Sequence, residues 1–128
     1  MLARITLAVL YAVAGLAHLL IPGPFLSVTP RWVPSPEAVI AITGLAELAG
    51  AAGLIQTNSL QTRRWAGWGL ALYALCVWPA NLLHMQIDMA KPDGGLGLAY
   101  HIPRMLAQPL IIWWALWASG AIGRCRHG

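Results

Sequence analysis

The sequence predicts an all-α integral membrane protein, a four-helix bundle that forms one domain over residues 1–128 with both termini in the cytoplasm. Three observations predict this class. Hydrophobic residues make up 59% of the chain and charged residues 9%, whereas soluble domains carry roughly 25% charged residues. Apolar stretches long enough to cross a bilayer recur at about 2–21, 36–56, 65–86 and 101–123. Arginines stand at the ends of these stretches, where topology signals lie.

Span one and the loop that follows it form the first part of the bundle. Tyr11, Gly15 and His18 stand at offsets of four and three, so they share one helical face. The start of the span resembles a signal peptide, but its apolar run is long enough to cross a bilayer, and we expect it to stay uncleaved. Residues 22–36 contain five prolines, which exclude a continuous helix. We expect this loop to lie back over the bundle.

Span two carries the residue around which the rest is organised, Glu47, in an otherwise apolar helix. A carboxylate that faces lipid is costly, so an ionisable group in this setting is by default a functional-site hypothesis. Thr43 shares its face, and Ala46 and Gly50 stand four residues apart, a spacing that lets neighbouring helices approach closely. We therefore expect span two to be the helix most enclosed by protein.

Span three combines a proline with two polar residues near its end. Pro79 removes one backbone hydrogen bond and should kink the helix. Asn81 and His84 follow it three residues apart on one face. A short polar turn at 57–64 joins spans two and three, which makes them antiparallel neighbours. The loop at 87–100 is polar and rich in turn residues, so we expect it to be exposed and to act as a lid.

Span four begins with His101, Arg104 and Gln108, at offsets of three and four and again on one face. At a rise of about 1.5 Å per residue, His18 lies about 20 Å beyond Arg4 along span one. Polar residues from all four spans therefore fall in one half of the bundle, towards the first and third loops. We call this the outer half, and the other half, which has almost no polar residues, the inner half.

Positive residues orient the chain. Those at the termini and in the second loop are Arg4, Arg63, Arg64, Arg124 and Arg126. The opposite side carries fewer, diluted by Asp88 and Asp93, so the inner half faces the cytoplasm. The net charge of +4 is therefore a topology signal and gives no reason to expect nucleic-acid binding. Cys76 and Cys125 form no CxxC pair and no metal-ligand spacing.

The motifs together resemble the DoxX family of small four-helix membrane proteins. The matching stretches are AVAGLAHLLIP, VPSP leading into ITGLAELAGAAGLI, WPANLLHM, and IPRMLAQPLIIWWALW. The resemblance covers nearly the whole chain and implies a four-helix bundle in a bacterial inner membrane. It also implies that His18, Glu47, Pro79, Asn81, Arg104 and Gln108 are family-pattern positions. The family takes its name from a subunit of a thiosulfate:quinone oxidoreductase.

Each polar residue has a structural interpretation beside a functional one. Glu47 is either a protonated carboxyl that bonds a neighbouring helix, or a proton-exchanging or ligand-binding group tuned by burial and by Arg104. His18 and His84 are packing residues, donors to a carbonyl ligand, or axial haem ligands. Haem is disfavoured because polar groups crowd the site. A metal set of His18, Glu47 and His84 is disfavoured as well. Arg104 alternatively extends to the membrane surface, and Asn81 and Gln108 join helices by hydrogen bonds.

The candidate ligand and proton site is the set His18, Glu47, Asn81, His84, Arg104 and Gln108, with Tyr11, Thr43 and His101 as secondary candidates. A mixture of acid, imidazole, amide and guanidinium in an apolar bundle suits a quinone-like ligand.

One hypothesis is therefore a quinone-linked, redox-associated subunit that needs a partner to supply electrons. The alternative is a structural or assembly subunit of a larger membrane complex. A proton or small-molecule pathway is weakened by the apolar inner half. No catalytic residue is assigned, the cofactor stays open, and the expected partners are the lipid bilayer and a membrane protein or a second copy.

Overall fold

The computed structural model describes residues 1–123 as five helices without a β-strand in that range. The helices are α1 (Leu2–Leu20), α2 (Gly23–Ser27), α3 (Pro36–Ile55), α4 (Leu60–Met89) and α5 (Leu98–Ser119). Helix makes up 78% of the described chain, which confirms the all-α prediction. Arg124, Cys125 and Arg126, which contribute to the predicted topology and cysteine arguments, lie outside the described residues.

Three helices in the described range, α1, α3 and α4, are long and apolar enough to cross a membrane. The predicted membrane environment is therefore supported by both length and composition. Helix α5 has 22 residues but is not one of the three. It contains Arg104, Gln108 and two internal prolines, Pro103 and Pro109, which lower its apolar character.

Helix α4 is longer than the span expected at 65–86. The Ser59 hydroxyl accepts a hydrogen bond from the Thr62 amide and caps the helix, so most of the expected polar turn at 57–64 is helical instead. Its 30 residues correspond to about 45 Å, against a hydrocarbon core of about 30 Å. The polar residues at both of its ends can therefore lie outside the apolar layer.

Helix α5 is anchored at its carboxyl end by α4. It stops at Gly120, whose φ of 77° is a left-handed conformation that favours glycine. Arg63 Nε donates to the Ser119 carbonyl at 3.2 Å, and Arg64 Nε donates to the Gly120 carbonyl at 2.9 Å. Two cations thus lie where the helix dipole is negative. The start of α4 and the end of α5 are consequently held side by side.

The long helices pack as two close antiparallel pairs, α1 with α3 and α4 with α5, and the pairs meet mainly through α3 and α4. The buried core of the inner half is apolar and consists of Leu7, Ala8, Tyr11, Ala51, Leu54, Leu70, Ala71 and Ala115. The first loop contains only the five-residue α2, which confirms that its prolines exclude a continuous helix. Residues of this loop pack against α3 at the outer end.

Candidate functional site

A close crossing of α1 and α3 brings His18 and Glu47 together. A Cβ on Gly15 would stand 2.7 Å from the Gly44 carbonyl oxygen, and one on Gly44 would stand 2.9 Å from the Gly15 carbonyl oxygen. The two backbones therefore lie so close together that only glycine fits at both positions. One turn further along α1, His18 Nδ1 lies 2.6 Å from Glu47 Oε2. The predicted acid therefore has a histidine as its partner.

The Glu47 carboxyl is 3% exposed, so its charge or proton is shielded from solvent. Tyr73 of α4 interacts with this carboxyl and with the Thr43 hydroxyl. The Thr43 hydroxyl itself donates to the Ile40 carbonyl at 2.8 Å. Tyr73 was not among the sequence candidates. The signal for it was its position eight residues before Asn81, which places both on one face of α4.

Arg104 of α5 forms a second polar group with residues of α4. Its Nη2 donates to Asn81 Oδ1 at 2.7 Å, and its Nη1 lies 2.8 Å from His84 Nδ1. The guanidinium also lies 5.4 Å from the centre of the Tyr100 ring, in cation–π range. The structure therefore gives Arg104 partners on α4, whereas the sequence placed it as a neighbour that tunes Glu47.

A third polar group surrounds Asp88, which is 1% exposed at the end of α4. Its carboxylate accepts hydrogen bonds from Lys91 Nζ at 2.5 Å and from the Leu96 amide at 2.6 Å, and it lies 2.9 Å from His101 Nε2. The sequence treated Asp88 as part of an exposed loop, and that expectation was wrong for this residue. The loop folds back over the carboxylate and removes it from solvent.

The fold-back depends on Gly95, whose φ of 56° is left-handed and which packs directly on the Asp88 carboxylate. Any side chain there would collide with that carboxylate. The rings of His84 and His101 pack edge to face with centroids 5.2 Å apart. The second and third polar groups are thus neighbours.

Two remaining candidates serve the packing of helices. Gln108 is buried and donates to the Ala74 carbonyl at 2.9 Å. The next carbonyl, that of Leu75, lacks its helical donor because Pro79 has no backbone N–H. This contact agrees with the prediction that Gln108 joins two helices. Tyr11 is buried in the inner core, where its hydroxyl lies 3.5 Å from the Leu70 carbonyl. Neither side chain lines the outer cavity described next.

A cavity of about 390 Å³ joins the first two polar groups. His18 and Thr43 lie on one of its walls, and Asn81 and Arg104 lie on another. Most of the remaining wall is apolar and includes Phe25, Trp32 and Val33 of the first loop, and Val77 and Ala80 of α4. The Phe25 ring packs against the His18 ring with centroids 4.0 Å apart and planes tilted by 47°. The loop, which the sequence predicted to lie back over the bundle, thus forms part of the cavity wall.

The arrangement can present hydrogen-bond donors to a small molecule in an apolar setting. In residues 1–123 the acids, histidines and cysteines form no cluster of three suited to a metal ion. His18 is bonded to Glu47, while His84 is bonded to Arg104 on the other side of the cavity. The three residues considered as a metal set are therefore divided between two polar groups.

The fold and the site define a class of protein: an all-helical chain of membrane character, with paired polar side chains around a cavity at one end. The chain belongs to the family described as Domain of unknown function (DUF8561), whose match covers residues 7–119. This range includes every candidate site residue. No curated protein and no solved structure matches the chain.

Proposed function

We propose that this protein is a multi-pass subunit of a bacterial inner membrane, with α5 as the fourth span of a four-helix bundle and both termini in the cytoplasm. We propose further that its outer cavity binds a ligand of the quinone class and that the family is related to DoxX-like proteins. The observation that carries the ligand proposal is the cavity itself. Its walls are mostly apolar, and hydrogen-bonding groups on two sides face the same space.

The volume and chemistry of the cavity both suit a quinone head group. Cavities that bind small molecules commonly measure roughly 300–1,000 Å³ and are apolar with a few convergent polar groups. A quinone carries two carbonyl oxygens that accept hydrogen bonds on opposite edges of a flat apolar ring. Arg104 has five N–H donors, of which Asn81 and His84 engage two. The remaining donors can reach one carbonyl, and the His18 side the other.

The His18–Glu47 pair can supply a proton at the cavity wall. With a protonated carboxyl, Glu47 donates to His18 Nδ1, and the neutral ring carries its proton on Nε2. With the proton transferred, the ring is an imidazolium whose Nε2 also carries a proton. Either form can present an N–H to a ligand carbonyl. Reduction of a quinone to a quinol takes two protons and two electrons, and the electrons would come from a redox partner protein.

The test uses two matched variants that change one carboxyl to an amide. The full chain is purified with native lipid, and bound quinone is extracted and quantified by mass spectrometry. We expect quinone with wild type, and binding weakened roughly tenfold in Glu47→Gln, since a charge-assisted hydrogen bond contributes about 1.5–3 kcal/mol. Glu37→Gln, in the exposed first turn of α3, should bind like wild type. Wild-type protein free of quinone would refute the proposal.

A second candidate function is a structural or assembly subunit of a larger membrane complex. The observation that favours it is that the polar side chains satisfy one another: His18 with Glu47, Arg104 with Asn81, and Gln108 with a carbonyl of α4. Interhelical hydrogen bonds of this kind stabilise helix packing in membranes. Ligand-free wild-type and Glu47→Gln proteins that recover the same larger complex would favour this function.

A further inference from the structure

The inner half contains a second cavity, of about 270 Å³, where the start of α1 meets the start of α4 and the end of α5. Arg4 and Arg63 both line it, together with Met1, Ala3, Trp117, Ala118 and Gly120. This cavity and the outer cavity lie at opposite ends of the long helices. The two cavities share no residue, so a ligand of the inner one is independent of the proposed quinone site.

Arg4 brings a cationic side chain to the wall of this cavity. Its Nε atom is buried and has no hydrogen-bond partner within the described chain. Most buried polar groups in proteins are hydrogen-bonded, and a charged donor left unpaired is especially costly. The Arg4 side chain as a whole is partly exposed and lines the cavity, so a ligand that enters the cavity can contact it.

The charge around the cavity favours an anion as its ligand. The chain has four acidic residues. Three of them, Glu37, Asp88 and Asp93, lie at the outer end. The fourth, Glu47 of α3, is bonded to His18 of α1. No acidic side chain therefore belongs to the inner end, although several arginines gather there.

We propose that the inner cavity binds the phosphate group of an anionic phospholipid. Guanidinium groups match phosphate geometry through paired N–H···O bonds. The cavity lies at the end of helices long and apolar enough to cross a membrane, which is the level of lipid headgroups. Its volume falls below the roughly 300–1,000 Å³ of drug-sized ligand sites, which suits a headgroup rather than a whole lipid or a large cofactor. Trp117, which is 45% exposed, lines the same cavity.

Binding is measured by native mass spectrometry on the full chain in detergent, with short-chain phosphatidylglycerol, phosphatidylcholine and inorganic phosphate as separate probes. We expect wild type to retain phosphatidylglycerol in preference to phosphatidylcholine. Arg4→Gln should weaken the binding of phosphatidylglycerol roughly five- to tenfold, the effect of one basic residue near a lipid surface. Arg31→Gln removes the same charge from the exposed outer loop and should leave it unchanged.

A cavity-filling variant tests the site without loss of charge. Ala3→Leu keeps every arginine and fills part of the cavity, so it should reduce retention of phosphatidylglycerol as Arg4→Gln does. Helical content by circular dichroism checks that both variants are folded. Equal losses in Arg4→Gln and Arg31→Gln, or wild-type retention in a folded Ala3→Leu, would overturn the proposal. Displacement of the lipid by millimolar inorganic phosphate would overturn the lipid as the source of the phosphate group.

Discussion

The inner and outer halves of this protein are built from the same four long helices but are held together in different ways. In the inner half, side chains such as Leu54 and Ala115 are 0% exposed and pack by shape, helped by small residues. In the outer half, buried Glu47, Asp88 and His101 are each engaged by a polar partner. The contrast shows that an apolar packed half can provide a frame while the polar pairs are gathered around a cavity in the other half.

The largest effect is expected from a change in the inner frame. Leu54→Ala removes a fully buried side chain from the apolar core and should lower the free energy of unfolding by about 3 kcal/mol, through lost contacts and a residual cavity. Denaturation in detergent measures this loss. Leu45→Ala, on the exposed face of the same helix, should change it little. If the two variants lose equal stability, the inner half is not the packed frame described here.

A change where the halves meet should have an intermediate effect. Gly15→Ala places a Cβ against the Gly44 carbonyl and should destabilise the protein by about 2 kcal/mol, because the helices must separate. Gly69→Ala adds the same methyl group to α4, where nothing lies within 4 Å, and should be neutral or slightly stabilising. Thermal denaturation of both variants tests this difference. Equal stability would show that close contact of α1 and α3 does not position His18.

The smallest global effect is expected at the outer rim. Asp88→Asn removes the charge that engages Lys91 and His101 and that accepts from the Leu96 amide. We expect faster amide hydrogen exchange in the loop at 90–97 with little change in the inner helices, since the loss is local. Glu37→Gln, in the exposed first turn of α3, removes a charge outside this loop and is the control. Unchanged exchange in Asp88→Asn would show that the carboxylate does not hold the loop.

Apolar length and helical spacing were enough to predict the long helices and the gathering of polar residues in one half. The partners were harder to predict. Spacing places His18 and Arg104 on helical faces, but the close approach at Gly44 decides that His18 reaches Glu47. Burial of Asp88 depends on a loop that turns back through left-handed glycines, a three-dimensional event that polarity alone misrepresents. Whether these groups bind a quinone stays a prediction.

The polar pairing of α5 with α4 has a consequence for biogenesis. Helix α5 is not among the three helices that are apolar enough to cross a membrane, yet Arg104 and Gln108 are bonded to α4 and His101 is bonded to Asp88 at its end. A ribosome releases α4 before α5, so the partners of α5 are already synthesised when it emerges. In the proposed four-span topology, a hairpin of the two helices can then enter the bilayer as one unit, because the polar groups of α5 need not face lipid alone.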